Sequence, residues 1–115
     1  MHELSLIAGL FETLFEKASA HGAREITAVT IKVGPLAGVV PELLESAFDM
    51  YKKGTMAARA SLVVESLPFI VRCRACGEES SRDHLISDCP ACGSVNIAIV
   101  QGTEVFLDKI EVEVD

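Results

Sequence analysis

CRACG (Cys73–Gly77) is followed, one short loop later, by CPACG (Cys89–Gly93), and this pair of repeats decides how the chain folds. Four thiolates supplied as two Cys-x-x-Cys pairs are the ligand set of a tetrahedral structural zinc ion. The glycine that follows each pair lets the backbone turn tightly past the sulfur atoms. We therefore expect one zinc site with four cysteine ligands, namely Cys73, Cys76, Cys89 and Cys92.

The segment around these cysteines, from Cys73 to about Val100, has too few large apolar residues to build a core of its own. A metal ion would stabilise such a unit of ~30 residues. Four sulfur ligands leave no position for water, so the zinc would be structural and not catalytic. A dithiol redox protein is the competing interpretation, but a redox Cys-x-x-Cys opens a helix in a βαβ unit and needs no second copy.

Composition and charge narrow the classes of function. The chain has 115 residues, half of them hydrophobic, and its 17 acidic against 10 basic residues give a formal net charge of -7. An acidic chain is poorly suited to binding nucleic acid without help. No stretch resembles a signal peptide or reaches the ~20 apolar residues that span a bilayer, so we expect no membrane association and a cytoplasmic location. In that compartment cysteines more often bind metal than form disulfides.

Periodicity predicts two amphipathic helices. Apolar residues recur at spacings of three and four over Leu4–His21, and Gly22 provides a stop signal. Pro41 suits the first turn of a second helix that we expect to run to about Lys53. Alternating patterns predict strands at Ile26–Val33, within Ser61–Cys73 and at Lys109–Asp115.

These elements predict an α/β (α+β) fold. We expect a small mixed three-stranded sheet with two helices on one face, plus an inserted zinc-ribbon domain. The α/β domain would comprise residues 1–70 and 102–115, and the ribbon residues 71–101. Pro68 cannot donate to a sheet ladder, so it predicts an edge or a break within the stretch that contains it. The acidic face of the last strand is most simply a solvated surface.

The opening MHELSL, Met1–Leu6, offers a second kind of metal chemistry. The α-amine of Met1, the amide nitrogen of His2 and the His2 imidazole can close fused five- and six-membered chelate rings, and the amide of Glu3 adds a fourth nitrogen. Ni(II) and Cu(II) prefer such a square-planar nitrogen set, whereas zinc does not. A frayed terminal histidine without function is the ordinary alternative.

Four segments together resemble the HypA/HybF family, nickel chaperones for hydrogenase maturation. They are MHELSL, VGPLAGVVPELLESAFD at Val33–Asp49, the paired cysteine repeats, and QGTEVFLDKIEVE at Gln101–Glu113. The resemblance implies a nickel metallochaperone that is not an enzyme. It implies that His2 ligates nickel with the terminal amine of Met1 and neighbouring backbone nitrogens, and that Glu3 tunes this site and contacts the partner GTPase.

The resemblance also implies cofactors and partners. Ni(II) would be bound transiently and Zn(II) structurally, by the four cysteines. The partners would be a HypB-like nickel-handling GTPase and the hydrogenase large subunit, with no nucleic acid and no membrane. A homodimer is one state that the sequence leaves open, as are the hydrogenase served, a role with urease and the nickel coordination number.

Two further histidines and one rival function stay open. His21 suits a capping role at the end of the first helix, and His84, between the cysteine repeats, could be an extra nickel ligand or a solvated loop residue. The chief rival function is a zinc-ribbon interaction module without a nickel role. An enzyme is least favoured, because no catalytic triad, phosphate loop or open metal site is visible.

Overall fold

The computed structural model describes residues 3–115, which form helices, strands and the turns and loops between them. Two helices and six strands follow one another along this part of the chain in the order α1 (Glu3–Ala20), β1 (Ala23–Val33), α2 (Pro41–Tyr51), β2 (Ser61–Ser66), β3 (Phe69–Cys73), β4 (Glu79–Arg82), β5 (Ile97–Gln101) and β6 (Val105–Val114). One sheet has the strand order β2-β1-β6 and the other the order β4-β3-β5. The predicted α+β class, with two helices and a three-stranded sheet, is confirmed.

Helix α1 buries one apolar stripe at the spacing that its sequence predicts, with Ile7, Phe11, Leu14 and Ala18 all inside. The ring of Phe11 packs against Phe48 of α2, with 5.3 Å between the ring centroids. Gly22 adopts a positive φ of 67° directly after the helix and donates its N–H to the Ser19 carbonyl. The predicted glycine stop therefore ends α1. Neither helix of the described chain is long and apolar enough to span a membrane.

The central strand of the first sheet is β1, and Ile26, Val29 and Ile31 are its buried apolar residues. The strands on either side, β2 and β6, contribute only half-buried or exposed side chains. Pro68 lies between the end of β2 and the start of β3, so the predicted break in that stretch is confirmed.

Strand β6 starts at Val105, four positions before the predicted start at Lys109. In the first half of β6 the half-buried residues are odd-numbered, Val105 and Leu107, and in the second half they are even-numbered, Ile110 and Val112. Simple alternation is therefore visible only in the second half, which is why the sequence pattern found the strand late. Helix α2 ends at Tyr51, two residues before the predicted limit, a difference within the usual uncertainty of helix ends.

The chain forms two compact units. The first comprises the chain up to Ile31, Val39–Glu65 and Phe106–Asp115; the second comprises Lys32–Gly38 and Ser66–Val105. The contribution of Lys32–Gly38 has no counterpart in the sequence-based division at residues 71 and 101. The predicted limits of the nickel-binding and zinc-binding domains stay a prediction.

Two backbone segments of the second unit meet at glycines. The amide of Gly34 donates to the Glu104 carbonyl at 2.8 Å, and the amide of Leu36 donates to the Gly102 carbonyl at 2.7 Å. A Cβ atom built on Gly34 would overlap the carbonyl of Gly102. The Glu104 carboxylate accepts hydrogen bonds from the amides of Gly102 and Thr103, which hold its pKa below the ordinary glutamate value.

We expect Gly34→Ala to lower the free energy of unfolding by about 1–3 kcal/mol, because the added methyl group meets backbone that cannot rotate away. Gly9→Ala is the matched control. It adds the same methyl group inside α1, where nothing lies within 4 Å, and should stabilise the chain by up to about 1 kcal/mol. Urea unfolding measures both variants, and a Gly34→Ala protein as stable as the parent would contradict the close approach.

Candidate metal centre

The first cysteine repeat forms a tight knuckle at the end of β3. The Cys73 amide donates to the Glu78 carbonyl at 2.9 Å, and the Gly77 amide donates to the Cys73 carbonyl at 2.9 Å. Gly77 has a φ of 81°, a conformation that residues with a side chain rarely adopt. The Cys76 amide points at the Cys73 sulfur, 3.4 Å away. The backbone thus turns around the first sulfur and donates a hydrogen bond to it.

The second repeat has the same geometry. The Cys89 amide donates to the Ser94 carbonyl at 2.8 Å, and the Gly93 amide donates to the Cys89 carbonyl at 2.8 Å. Gly93 has a φ of 80°, and the Cys92 amide lies 3.4 Å from the Cys89 sulfur. The same five-residue pattern therefore folds twice in the same way. In each knuckle the first cysteine is buried and the second is exposed.

The four sulfur atoms converge on one point. All of them lie within 4.8 Å of one another, with Sγ–Sγ distances of 3.6 Å between Cys73 and Cys92 and 3.7 Å between Cys76 and Cys89. A tetrahedron with metal–sulfur bonds of ~2.3 Å has sulfur–sulfur edges of about 3.8 Å. The cluster therefore fits one tetrahedral ion. Within residues 3–115, these cysteines are the one group of three or more potential ligands so arranged.

Hydrogen bonding and crowding move the pKa values of the thiols apart. The Cys76 amide, helped by the Ala75 amide, lowers the pKa of Cys73 to about 6. The Glu78 amide also lowers the pKa of Cys76, but desolvation and the neighbouring thiols outweigh it and raise that pKa to about 12. One thiol ionises easily while another resists further negative charge. A divalent cation at the centre removes that resistance.

The amino-terminal candidates lie partly outside the structure. Met1 and His2 fall outside the described residues. Glu3 is the first residue of α1, and its carboxylate oxygen Oε2 accepts a hydrogen bond from the amide of Val40 at 3.0 Å. Val40 directly precedes Pro41 at the start of α2. The Glu3 side chain therefore bridges the beginnings of the two helices.

Sequence reasoning did not find this contact, because it joins residues that are 37 positions apart. Pro41 was the one local signal. A proline at the first helical position marks a helix start, where the neighbouring amides lack partners inside the helix. Which residue supplies the acceptor is decided by how the helices pack.

The other two histidines lie elsewhere. His21 is exposed in the turn after α1. The Nδ1 atom of His84 lies 3.0 Å from the Asp83 carboxylate, and its side chain is 69% exposed. Neither histidine belongs to the cysteine cluster. A role for either in nickel binding stays an open hypothesis.

The chain also matches a known protein family. Residues 1–112 match the model of a family described as HypA, hydrogenase/urease nickel incorporation, metallochaperone. The chain belongs to the HypA family. The HypA/HybF interpretation of the sequence is therefore confirmed, and the family is one of metallochaperones.

Individual HypA proteins are similar over their full length. The hydrogenase maturation factor HypA of Aquifex aeolicus is 40% identical over 115 residues, which cover 100% of both chains. That of Desulfitobacterium hafniense strain DSM 10664 is 39% identical, with 98% of this chain and 99% of the relative covered. The solution structure of the Ni metallochaperone HypA from Helicobacter pylori superposes with a TM-score of 0.74 at 26% identity, and 100% of each chain is covered.

The cysteine geometry generates a spectroscopic prediction. Co(II) bound to the four cysteines should give the intense sulfur-to-metal charge-transfer bands and the visible bands of a tetrahedral thiolate site, at one ion per chain. Cys76→Ser should weaken the charge-transfer bands, because one thiolate is lost. Ser87→Ala, an exposed position between the knuckles, is the control that should leave the spectrum unchanged. An octahedral Co(II) spectrum in the parent protein would contradict the proposed geometry.

Proposed function

We propose that this chain binds Ni(II) near its amino terminus and delivers it during maturation of [NiFe] hydrogenase, while a structural zinc ion occupies the cysteine cluster. The observation that carries the proposal is the match of residues 1–112 to the nickel-incorporation family. Ni(II) is the cargo in this proposal, so the protein needs a site that selects the ion and later releases it. No covalent chemistry is required.

The nickel site that we propose consists of the Met1 amine, the amide and imidazole nitrogens of His2, and the amide of Glu3. This planar nitrogen set favours Ni(II) over zinc by geometry. Glu3 is the first residue of α1, so its amide has no obligatory partner within the helix and is available to a metal. The hydrogen bond from Val40 to the Glu3 carboxylate supports a positioning role for that side chain, since it fixes the start of α1.

The zinc ligands in the proposal are Cys73, Cys76, Cys89 and Cys92. Their sulfur atoms are arranged as a tetrahedral ion requires, and four cysteines complete its shell. Zinc would hold the two knuckles together and would leave no open coordination position for catalysis. The second unit would then depend on the ion for its fold.

The partners in the proposal are a HypB-like nickel-handling GTPase and the hydrogenase large subunit, and the compartment is the cytoplasm. The family description supports the process of nickel incorporation, and the partners follow from what that process requires. The alternative function is a zinc-ribbon interaction module without nickel. That module would bind one metal per chain and would be indifferent to changes at Met1 and His2.

The terminal chelate can be tested by calorimetric titration of Ni(II) into zinc-loaded, untagged protein. We expect one nickel site in the parent protein and none after Gly-Ser is added before Met1. The extension moves the α-amine but leaves every side chain in place. His84→Ala is the matched control, because it removes an exposed imidazole and should leave the affinity unchanged.

The outcomes separate the alternatives. Equal binding by the parent and extended proteins would place nickel elsewhere, and loss of binding in His84→Ala would identify that histidine. If the parent protein does not bind nickel at all, the interaction-module interpretation takes over.

Nickel affinity should also depend on pH. An α-amine titrates near pH ~8 and an imidazole near ~6.5, and both must lose a proton before they ligate a metal. We therefore expect the affinity to fall by at least about tenfold between about pH 8 and pH 6, because protons compete increasingly well as the pH decreases. Zinc content is measured in the same samples and should stay constant. A flat affinity profile would count against this ligand set.

A further inference from the structure

Strand β6 is an edge of the first sheet. It neighbours β1 on one side, and no other described strand pairs with its outer side. An exposed edge presents backbone N–H and C=O groups on which an extended segment of another molecule can form a further strand. Edges of this kind also occur without any partner. The side chains on both faces of Phe106–Val114 therefore determine which kind of partner segment this edge could bind.

The first relevant feature is an apolar groove between the last turn of α1 and β6. Its volume is about 500 Å³. The residues that line it are Lys17, Ala18, His21, Ile110, Val112 and Val114. The β6 side chains in the groove are only half-buried or exposed, and Val114 is 57% exposed. A strand added beside β6 would place every second side chain over this groove.

The opposite face of β6 carries Glu111 and Glu113, with one basic residue, Lys109, two positions before Glu111. Glu111 and Glu113 alternate with the groove residues, so they point to the other side of the sheet, and both are exposed. At this end of the strand, the Nε atom of Arg24 forms an ion pair with Oδ1 of Asp115 at 2.8 Å. Among the described residues, neither Glu111 nor Glu113 takes part in an ion pair. Two carboxylates on the same face of an edge strand are thus available to a partner.

We propose that β6 docks an extended basic segment of a partner protein, which adds as a fourth strand to the sheet. Its alternate apolar side chains would fill the groove, and the lysine or arginine side chains between them would lie over Glu111 and Glu113. Directly opposite residues on neighbouring strands lie about 4.5–5.5 Å apart, close enough for opposite charges to attract. Backbone hydrogen bonds would supply affinity, and the two faces would supply specificity.

Charge argues against a second copy of this chain as the occupant. A β6–β6 pair that sets Glu111 opposite Glu113 would place like charges directly across from each other, which is destabilising, and only a register that sets Lys109 against a glutamate avoids this. The formal net charge of -7 per chain adds to the repulsion. A basic strand satisfies both carboxylates in any register, whereas a second copy offers them only Lys109.

The test uses zinc-loaded full-length protein and a short acetylated peptide of alternating valine and lysine. We expect saturable binding of one peptide per chain, measured by calorimetry, with amide NMR shifts concentrated in β6. Two peptides of the same length are controls. Alternating valine and glutamate reverses the charge, and N-methylation of every second amide of the valine–lysine peptide removes strand pairing but keeps the side chains.

Protein variants test the two faces separately. Glu111→Gln combined with Glu113→Gln should weaken binding of the valine–lysine peptide by about threefold to tenfold, since two favourable cross-strand pairs are lost. Glu12→Gln combined with Glu45→Gln makes the same charge change on exposed helical positions and should leave binding unchanged. Val114→Asp, at an exposed end of the groove, should also weaken binding.

Several results would overturn the proposal. They are the absence of saturable binding, equal binding of the N-methylated peptide, and equal weakening by the Glu12/Glu45 control pair. The peptide experiments do not involve nickel, so they can fail while the proposed nickel delivery stands. The parent protein could instead sediment as a dimer. If the combined Glu111→Gln and Glu113→Gln changes made that dimer tighter, the edge strand would pair with a second copy of the chain.

Discussion

Convergence of the four cysteine sulfurs is the constraint on which the second unit depends. Thiols this close resist full ionisation, and desolvation together with the neighbouring thiols raises the pKa of Cys76 to about 12. The described residues of this unit bury few large apolar side chains besides Phe69 and Val71. A shared cation is therefore what can hold both knuckles, and with them the strands β3, β4 and β5, in one arrangement.

The first unit is stabilised in a different way. Helices α1 and α2 pack aromatic and aliphatic side chains, including Phe11 and Phe48, and β1 supplies further buried residues. This is an ordinary hydrophobic core whose formation requires no metal. With the proposed zinc ion bound, the two units would draw on different physical sources of stability, the first on burial of apolar surface and the second on metal coordination.

The sequence predicted local features well because local physics determines them. The knuckles, the end of α1 at Gly22 and the break at Pro68 each follow from the conformational limits of a few neighbouring residues. The full length of β6 was missed, since its pattern of burial shifts at Asp108–Lys109. The bond between Glu3 and Val40 and the contact of Gly34 with Gly102 were also missed, because each joins distant segments whose meeting depends on tertiary packing. For the cysteine cluster the sequence sufficed, whereas the proposed nickel ligands Met1 and His2 lie outside the described residues.

The contact between Gly34 and Glu104 has a consequence for how metal binding and backbone closure depend on each other. The hydrogen bonds from Gly34 and Leu36 to Glu104 and Gly102 close a loop of the chain that contains both cysteine knuckles. A loop that is already closed has lost conformational freedom that a ligand bound inside it would otherwise have to remove. A zinc ion held by the proposed cysteine ligands would therefore bind more tightly when this closure is formed, and by linkage the bound ion would stabilise the closure in return.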